Sequence, residues 1–210
     1  KSNKYGYVGV DIPAQSFGNN KGVFNPAEIN ELVADNKWTQ YGQLELIETQ
    51  TASSDSALDF ATLGDYNVHF LTCNDITPAT DNVTLQIQLF ENGTLESGAV
   101  YQYALQRGQA NGTFSEDKNT TSTVLGGSPA IGNATNETGN AYFYFYNLKD
   151  STKYSFQTQM SSVINNAGTF AMNFGSAVLP QASYVDKIRV KVSSGNFSGT
   201  ASLYGIQEYS

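Results

Sequence analysis

The stretch "VTLQIQLFE", Val83 to Glu91, decides the fold class, since apolar and polar residues alternate along it up to Leu89. Its apolar members occupy every second position: Val83, Leu85, Ile87 and Leu89. Thr84, Gln86 and Gln88 lie between them. A period of two places alternate side chains on opposite faces of a β-strand. The stretch therefore predicts a strand with one face on a core and the other in water.

The same period recurs on both sides of this stretch, from Gln43 to the end of the chain. It predicts about ten strands separated by Gly, Asn, Asp, Ser or Pro turns. So many strands without intervening helices predict an all-β fold, an antiparallel β-sandwich of jelly-roll-like type over residues 43–210. The apolar positions of the strands are expected to face the core, and among them are Leu44, Leu46, Val68, Phe70, Phe143, Phe145, Tyr154, Phe156, Met160, Phe170, Met172 and Phe174.

Residues 1–42 lack this period and predict an extended anchoring arm that contains one short helix at about residues 26–36. Asn25 is suited to cap the helix, Pro26 suits its first position, and Glu28 completes a capping box. A helix this short is marginal alone and has to dock on its own domain or on a neighbouring subunit. The residues expected to anchor the arm during assembly are Phe24, Ile29, Leu32, Val33 and Trp38.

The stretch from Asn111 to Asn140 is rich in Thr, Asn, Gly and Ser. It predicts a long loop with one weak strand near Thr123 to Leu125. Loops of this length are usually functional or mobile.

Composition narrows the classes of function. The net charge is −8, so the chain lacks the basic face that binders of nucleic acid need. No stretch approaches the roughly 20 apolar residues that span a bilayer, and membrane insertion is not expected. No metal-ligand spacing and no phosphate-binding or dinucleotide-binding glycine pattern is present, so no cofactor or metal is predicted.

Candidates for catalysis are few. His69 is the single histidine and Cys73 the single cysteine, and four positions apart on one strand they are roughly 13 Å apart, too far to form a catalytic pair. A glycosidase needs two facing carboxylates. The candidates for such a pair are Glu91, Glu96, Glu116 and Asp117, which fall at strand ends and in loops. Catalytic residues are therefore predicted to be absent, with hydrolysis kept as an alternative.

Three tyrosines form the most suggestive surface feature. Tyr142, Tyr144 and Tyr146 share one face of the strand "AYFYFYNL", opposite Phe143 and Phe145. Tyrosine is enriched at subunit interfaces, which makes an interface the first interpretation. A platform on which sugar rings stack is the second.

The order of motifs resembles virion structural proteins of tailed bacteriophages, particularly marine ones. The resemblance rests on "LIETQTAS" before a "DF" strand, on "PATDNV" after a Y-x-V strand, and on the closing "SSGNFSGTASLYGI". The element "GVFNPAEINELVADNKW" is similar to an N-terminal signature of phage particle proteins. The resemblance extends from about Gly22 to Ile206 and is weakest between Asn111 and Asn140.

The resemblance implies a non-enzymatic component of the virion, assembled in the host cytoplasm as a head decoration or a part of a tail fibre. Such compartments are reducing, which is consistent with the lone cysteine. The implied partners are other capsid or tail proteins and further copies of the chain, with a trimer favoured. The alternatives are a receptor-binding module for a host-surface glycan and, after it, a glycan depolymerase.

Overall fold

The computed structural model describes residues 26–34 and 44–206 of the chain. The chain divides into two units between Tyr41 and Gly42, and each is described by itself. In the first unit, the described residues form the helix α1, Pro26–Ala34. Its predicted start at Pro26 is confirmed, whereas Asn25 and the predicted end near residue 36 lie outside the described residues.

The described part of the second unit, residues 44–206, consists of thirteen strands in two antiparallel sheets. The strands are β1 (Leu44–Asp55), β2 (Ala57–Phe60), β3 (Val68–Pro78), β4 (Val83–Glu91), β5 (Thr94–Leu95), β6 (Tyr101–Gln109), β7 (Phe114–Ser122), β8 (Gly127–Ile131), β9 (Gly139–Tyr146), β10 (Tyr154–Ile164), β11 (Phe170–Ala182), β12 (Val185–Val192) and β13 (Phe197–Ile206). Eight of them form one sheet in the order β1-β13-β3-β9-β10-β11-β6-β7. The other sheet has the order β2-β12-β4-β5, and β8 also pairs with β4.

The predicted β-sandwich is confirmed, and so is the inward apolar face of β4, whereas its other face is not simply in water, since Gln88 and Phe90 are buried there. Its residues at alternate positions, from Val83 to Leu89, are buried between the sheets. They pack into one core with Phe143 and Phe145 of β9 from the facing sheet. The Asn92-Gly93 pair after β4 has positive φ at both residues, the conformation of a tight hairpin turn into β5.

The predicted long loop between Asn111 and Asn140 is wrong. This stretch contains β7, β8 and the start of β9. Strand β7 has no apolar period, and its residues Phe114 to Thr121 are exposed. It forms because its backbone pairs with β6 at the edge of the sheet. Pairing with a neighbouring strand, rather than side-chain burial, determines this element.

The predicted inward face of four strands is also wrong. On β10, Phe156 and Met160 are exposed while Gln157 and Gln159 are buried. On β11, Phe170 and Phe174 are exposed while Asn173 is buried. On β3, His69 and Leu71 are buried while Val68 and Phe70 are half-buried on the other face. Leu44 and Leu46 of β1 are exposed as well.

On β10 and β11 the physical reason is a set of hydrogen bonds that pairs most of the buried polar side-chain atoms, although Gln157 Oε1 and Ser155 Oγ are buried without a partner. Gln159 Nε2 and Asn173 Nδ2 both donate to the backbone oxygen of Gly127, at 2.7 and 2.6 Å. Ser161 Oγ donates to Asn173 Oδ1 at 2.5 Å, and Gln157 Nε2 donates to Gln159 Oε1 at 2.7 Å. Buried polar groups are tolerated when they are paired in this way. The aromatic side chains of β10 and β11 consequently face outward.

Candidate interaction surface

The outward side of the eight-stranded sheet carries a continuous aromatic and apolar surface, which we call the outer aromatic face. Its members come from β3, β9, β10 and β11 and are Phe70, Tyr142, Tyr144, Tyr146, Phe156, Met160, Met172, Phe174 and Val178. Phe174 exposes 50% of its surface and Phe156 exposes 45%. Contiguous exposed apolar patches of this kind mark sites of interaction.

Charge is absent from the centre of this face. Strands β9, β10 and β11 contain no Asp, Glu, Lys, Arg or His. Charged side chains lie on strands to either side: on β7, Lys118 Nζ lies 2.7 Å from Glu116 Oε2, and β3 contains Asp75. Aromatic residues and methionine with few charges are the composition of the buried centre of a protein interface.

The face has relief, because large and small side chains alternate in rows that cross the strands. Tyr142, Met160 and Phe174 are register partners and form the first ridge. Tyr146, Phe156 and Val178 form the second ridge in the same way. Between the ridges lies the valley, whose floor is formed by the small residues Thr158, Ser176 and Ala104 and which ends on β9 at Tyr144, the register partner of Thr158.

Grooves follow from this relief. One groove has a volume of about 720 Å³ and is lined by Phe156 and Val178 on one side, with Lys118 and Thr120 of β7 at its end. A second groove of about 300 Å³ lies beside Phe174. A third, of about 240 Å³, lies on the other side of the first ridge, where Asn140 and Ser162 line it together with Tyr142 and Met160. The first two grooves show that the valley is open beside Ser176 and Ala104 and can accept side chains from another molecule.

The three tyrosines singled out by the sequence lie on this face, where they contact its other aromatic residues. The ring of Tyr144 lies 4.6 Å from that of Phe70, and the ring of Tyr142 lies 6.1 Å from Phe70. Tyr142 Oη donates to Met160 Sδ at 3.6 Å. Tyr146 Oη lies 3.4 Å from Thr158 Oγ1. These contacts hold the rings in fixed orientations across neighbouring strands.

Sequence reasoning missed Phe70, Phe156 and Phe174, because it assigned them to the core. The signal that could have found them is the polar residues that alternate with them: Gln157 and Gln159 of β10 can face inward only if they have hydrogen-bond partners. Those partners, the Gly127 carbonyl and Asn173, are remote in the sequence.

The side chain of His69 is buried in the core rather than exposed at a candidate catalytic site. Its Nε2 lies 2.7 Å from the backbone oxygen of Leu63 and donates to it, since that oxygen can only accept. Its Nδ1 is buried without a partner. Burial lowers the pKa of His69, the bond to Leu63 opposes this, and the charge of Lys149 lowers it further. The imidazole is therefore kept neutral in the core.

Acid should destabilise the fold through His69. The unfolded chain takes up a proton near the ordinary pKa of 6.5, but the folded chain does not until its lowered pKa is reached. The free energy of unfolding is therefore expected to fall by up to about 1.4 kcal/mol per pH unit below 6.5, and to stop falling from this cause at the folded pKa. Urea unfolding at pH 7.5 and pH 5.5 measures this loss. The free energy of unfolding of a His69→Gln variant should fall less between pH 7.5 and pH 5.5 than that of the wild type. An equal fall would contradict the assignment of this loss to His69.

Cys73 is likewise enclosed. It is fully buried, and burial raises the pKa of its thiol to about 12. A thiol with such a pKa is protonated at neutral pH and is a poor nucleophile.

The candidate carboxylates do not form a facing pair across a cleft. Glu91 and Glu96 hydrogen-bond to each other on the hairpin β4–β5. Burial and the neighbouring Glu96 raise the pKa of Glu91, whereas its hydrogen bond with Ser183 lowers it. Glu116 is paired with Lys118, and Asp117 accepts a bond from Tyr103 Oη at 3.2 Å. The geometry for glycoside hydrolysis needs carboxyl groups at least about 5 Å apart on either side of the sugar.

The anchoring residues are placed only in part. Ile29 and Leu32 are half-buried on α1, while Phe24, Trp38 and the side chain of Val33 lie outside the described residues. Their role stays a prediction. Among the described residues, no group of three or more His, Cys, Asp or Glu could hold a metal ion. Nor does the described helix have the length and apolarity to cross a membrane.

Comparison with protein families and curated proteins assigns no function, so the function is inferred from the residues of the chain. No protein-family model matches the sequence, and no curated protein is significantly similar to it.

Proposed function

We propose that the chain is a structural protein of a bacteriophage virion, a head decoration or tail-fibre component that assembles without catalysis. It joins the particle through its N-terminal region and contacts neighbouring proteins through its sandwich. The observation that carries this proposal is the outer aromatic face: an uncharged surface with Phe156 and Phe174 about half exposed. The phage assignment rests on the sequence motifs described above.

Two features favour assembly over a reactive pocket. The side chains most suited to catalysis, His69 and Cys73, are buried in the core. The grooves of the outer aromatic face are lined mainly by aromatic, aliphatic and small residues. A surface of this composition gains free energy when another protein removes it from water.

Glycan recognition is the second candidate, and one observation favours it. The 720 Å³ groove combines the ring of Phe156 with the amides of Gln102 and Asn119. Aromatic rings with a few polar groups are typical of small-ligand sites. In this case the chain would be a receptor-binding module that recognises host-surface glycan.

The proposed function is tested by immunoblotting gradient-purified particles of the phage that encodes the chain. The expected result is that the chain sediments with infectious particles, at a constant number of copies per particle, after a wash in 1 M salt. Hydrophobic contacts survive such a wash while exposed ion pairs are screened. Recovery of the chain only in the unassembled fraction would contradict the proposal.

A further inference from the structure

We propose that the outer aromatic face binds the same face of a second copy of this chain, around a two-fold axis that runs parallel to the ridges, which gives a dimer in place of the trimer that the resemblance favours. This inference deepens the proposed function, on which it rests, by naming the partner of the sandwich. The two sheets would stack face to face with the first ridge of each copy in the valley of the other.

The first step is complementarity of shape. Successive rows lie two residues apart along the strands, which is about 6.8 Å. With the axis placed between the first ridge and the valley, rotation puts Met160 and Phe174 over the partner's floor of Thr158 and Ser176. The second ridge then meets the next row of the partner, so that Phe156 lies over the small Ser162, while Val178 meets Met172. Large side chains therefore face small ones along β10 and at Phe174, whereas on β9 Tyr142 meets the partner's Tyr144 as an aromatic pair.

The second step is chemistry. Two copies carry net charges of −8 each and repel one another, so a stable contact requires a surface free of charge. Strands β9, β10 and β11 provide such a surface, since they contain no charged residue. Stacked sheets about 10 Å apart with interdigitated side chains are the ordinary packing of β-sandwiches.

The third step is area. The most exposed large residues on this side are Tyr142, Tyr154, Phe156, Met160, Phe170 and Phe174, each with 37–50% of its surface exposed. Together they offer roughly 500 Å², if a fully exposed side chain of this size has about 200 Å². A standard interface buries about 800 Å² per partner. The half-buried neighbours Tyr144, Tyr146, Met172 and Val178 add to this area, so two such faces would bury upwards of about 1,000 Å² in total, the lower bound for a specific interface.

A second copy fits the valley better than a glycan does. Sugar hydroxyls need several polar groups that converge on them. The valley offers the hydroxyls of Thr158, Ser176 and Tyr144, and Thr158 already contacts Tyr146 Oη. The amides that could bind sugar belong to β6 and β7, at one end of the groove.

Sedimentation of the full chain tests the dimer, at concentrations from about 1 to about 50 µM, a range that detects a micromolar Kd. The wild type is expected to be a dimer whose Kd falls as NaCl is raised, because salt screens the repulsion between acidic copies. Phe174→Glu and Ser176→Trp should each raise the Kd by about 30-fold or more, the effect of losing a hot-spot residue. Phe174→Glu places a charge on the first ridge, and Ser176→Trp fills the valley.

Both substituted positions are exposed, so the variants should retain the wild-type circular dichroism spectrum and melting temperature. Lys191→Glu on β12 is the matched control, since it adds negative charge to the other sheet and should leave the dimer intact. A wild-type monomer at 50 µM, or a dimer that resists both variants, would overturn the inference. A monomer found at constant copy number in particles would overturn only this inference and assign the face to another particle protein.

Discussion

Replacing Asn173 by alanine is expected to lower the free energy of unfolding by about 3 kcal/mol, although no apolar contact is lost. The side chain lies in the centre of the hydrogen-bonded set that turns the aromatic residues outward. It donates to the Gly127 oxygen at 2.6 Å and accepts from Ser161 Oγ at 2.5 Å and from Gln159 Nε2 at 3.3 Å. Alanine would leave the Ser161 hydroxyl without its acceptor in the dry interior.

Each buried polar group left unpaired costs about 1–3 kcal/mol, and this variant affects more than one group. Urea unfolding measures the loss. The matched control is Asn140→Ala on β9, whose exposed side chain accepts one bond from the Asp75 backbone and can be replaced by water. The free energy of unfolding of the control should fall by less than about 1 kcal/mol, as is usual for substitutions at exposed sites. An equally small loss for Asn173→Ala would show that the inner polar residues do not support the face.

Removal of residues 1–42 is expected to abolish incorporation into particles while leaving the sandwich folded. The described part of the sandwich starts at Leu44, and the division between the two units lies at Tyr41 and Gly42. The truncated chain should therefore retain a β-type circular dichroism spectrum and cooperative unfolding. Quantitative immunoblotting of purified particles, from cells that supply the truncated chain, should show background levels.

A paired substitution in the full chain gives a finer version of this test. Leu32 is half-buried on α1, whereas Asn30 on the same helix is exposed. Leu32→Glu should reduce the number of copies per particle, and Asn30→Glu should not. Full incorporation of the truncated chain would contradict the proposed anchoring role of the N-terminal region.

The sequence correctly predicted the inward face of those strands in which the apolar side chains are the buried ones. In β4 the apolar residues are buried and the intervening polar ones face the other way, so the period of two gave both the strand and its inward face. In β9 the same rule correctly separated Phe143 and Phe145 from the tyrosines. The period alone states which residues share a face.

It does not state which face is buried, and β10 and β11 show why. Gln159 and Asn173 are buried because the Gly127 carbonyl, 32 and 46 residues away, accepts their hydrogen bonds. No pattern within a single strand reveals such a contact. Strand β7 escaped prediction for a related reason, since it depends on backbone pairing with β6 and not on its own side chains.

The central claim is that the outer aromatic face is the working surface of the protein, and the direct measurement is a density map of the intact particle. The account predicts that protein density covers Tyr142, Met160 and Phe174, with a second copy of the sandwich stacked on these residues. A map in which the outer aromatic face points into open solvent, with the sandwich held only through its five-stranded sheet or its N-terminal region, would contradict it.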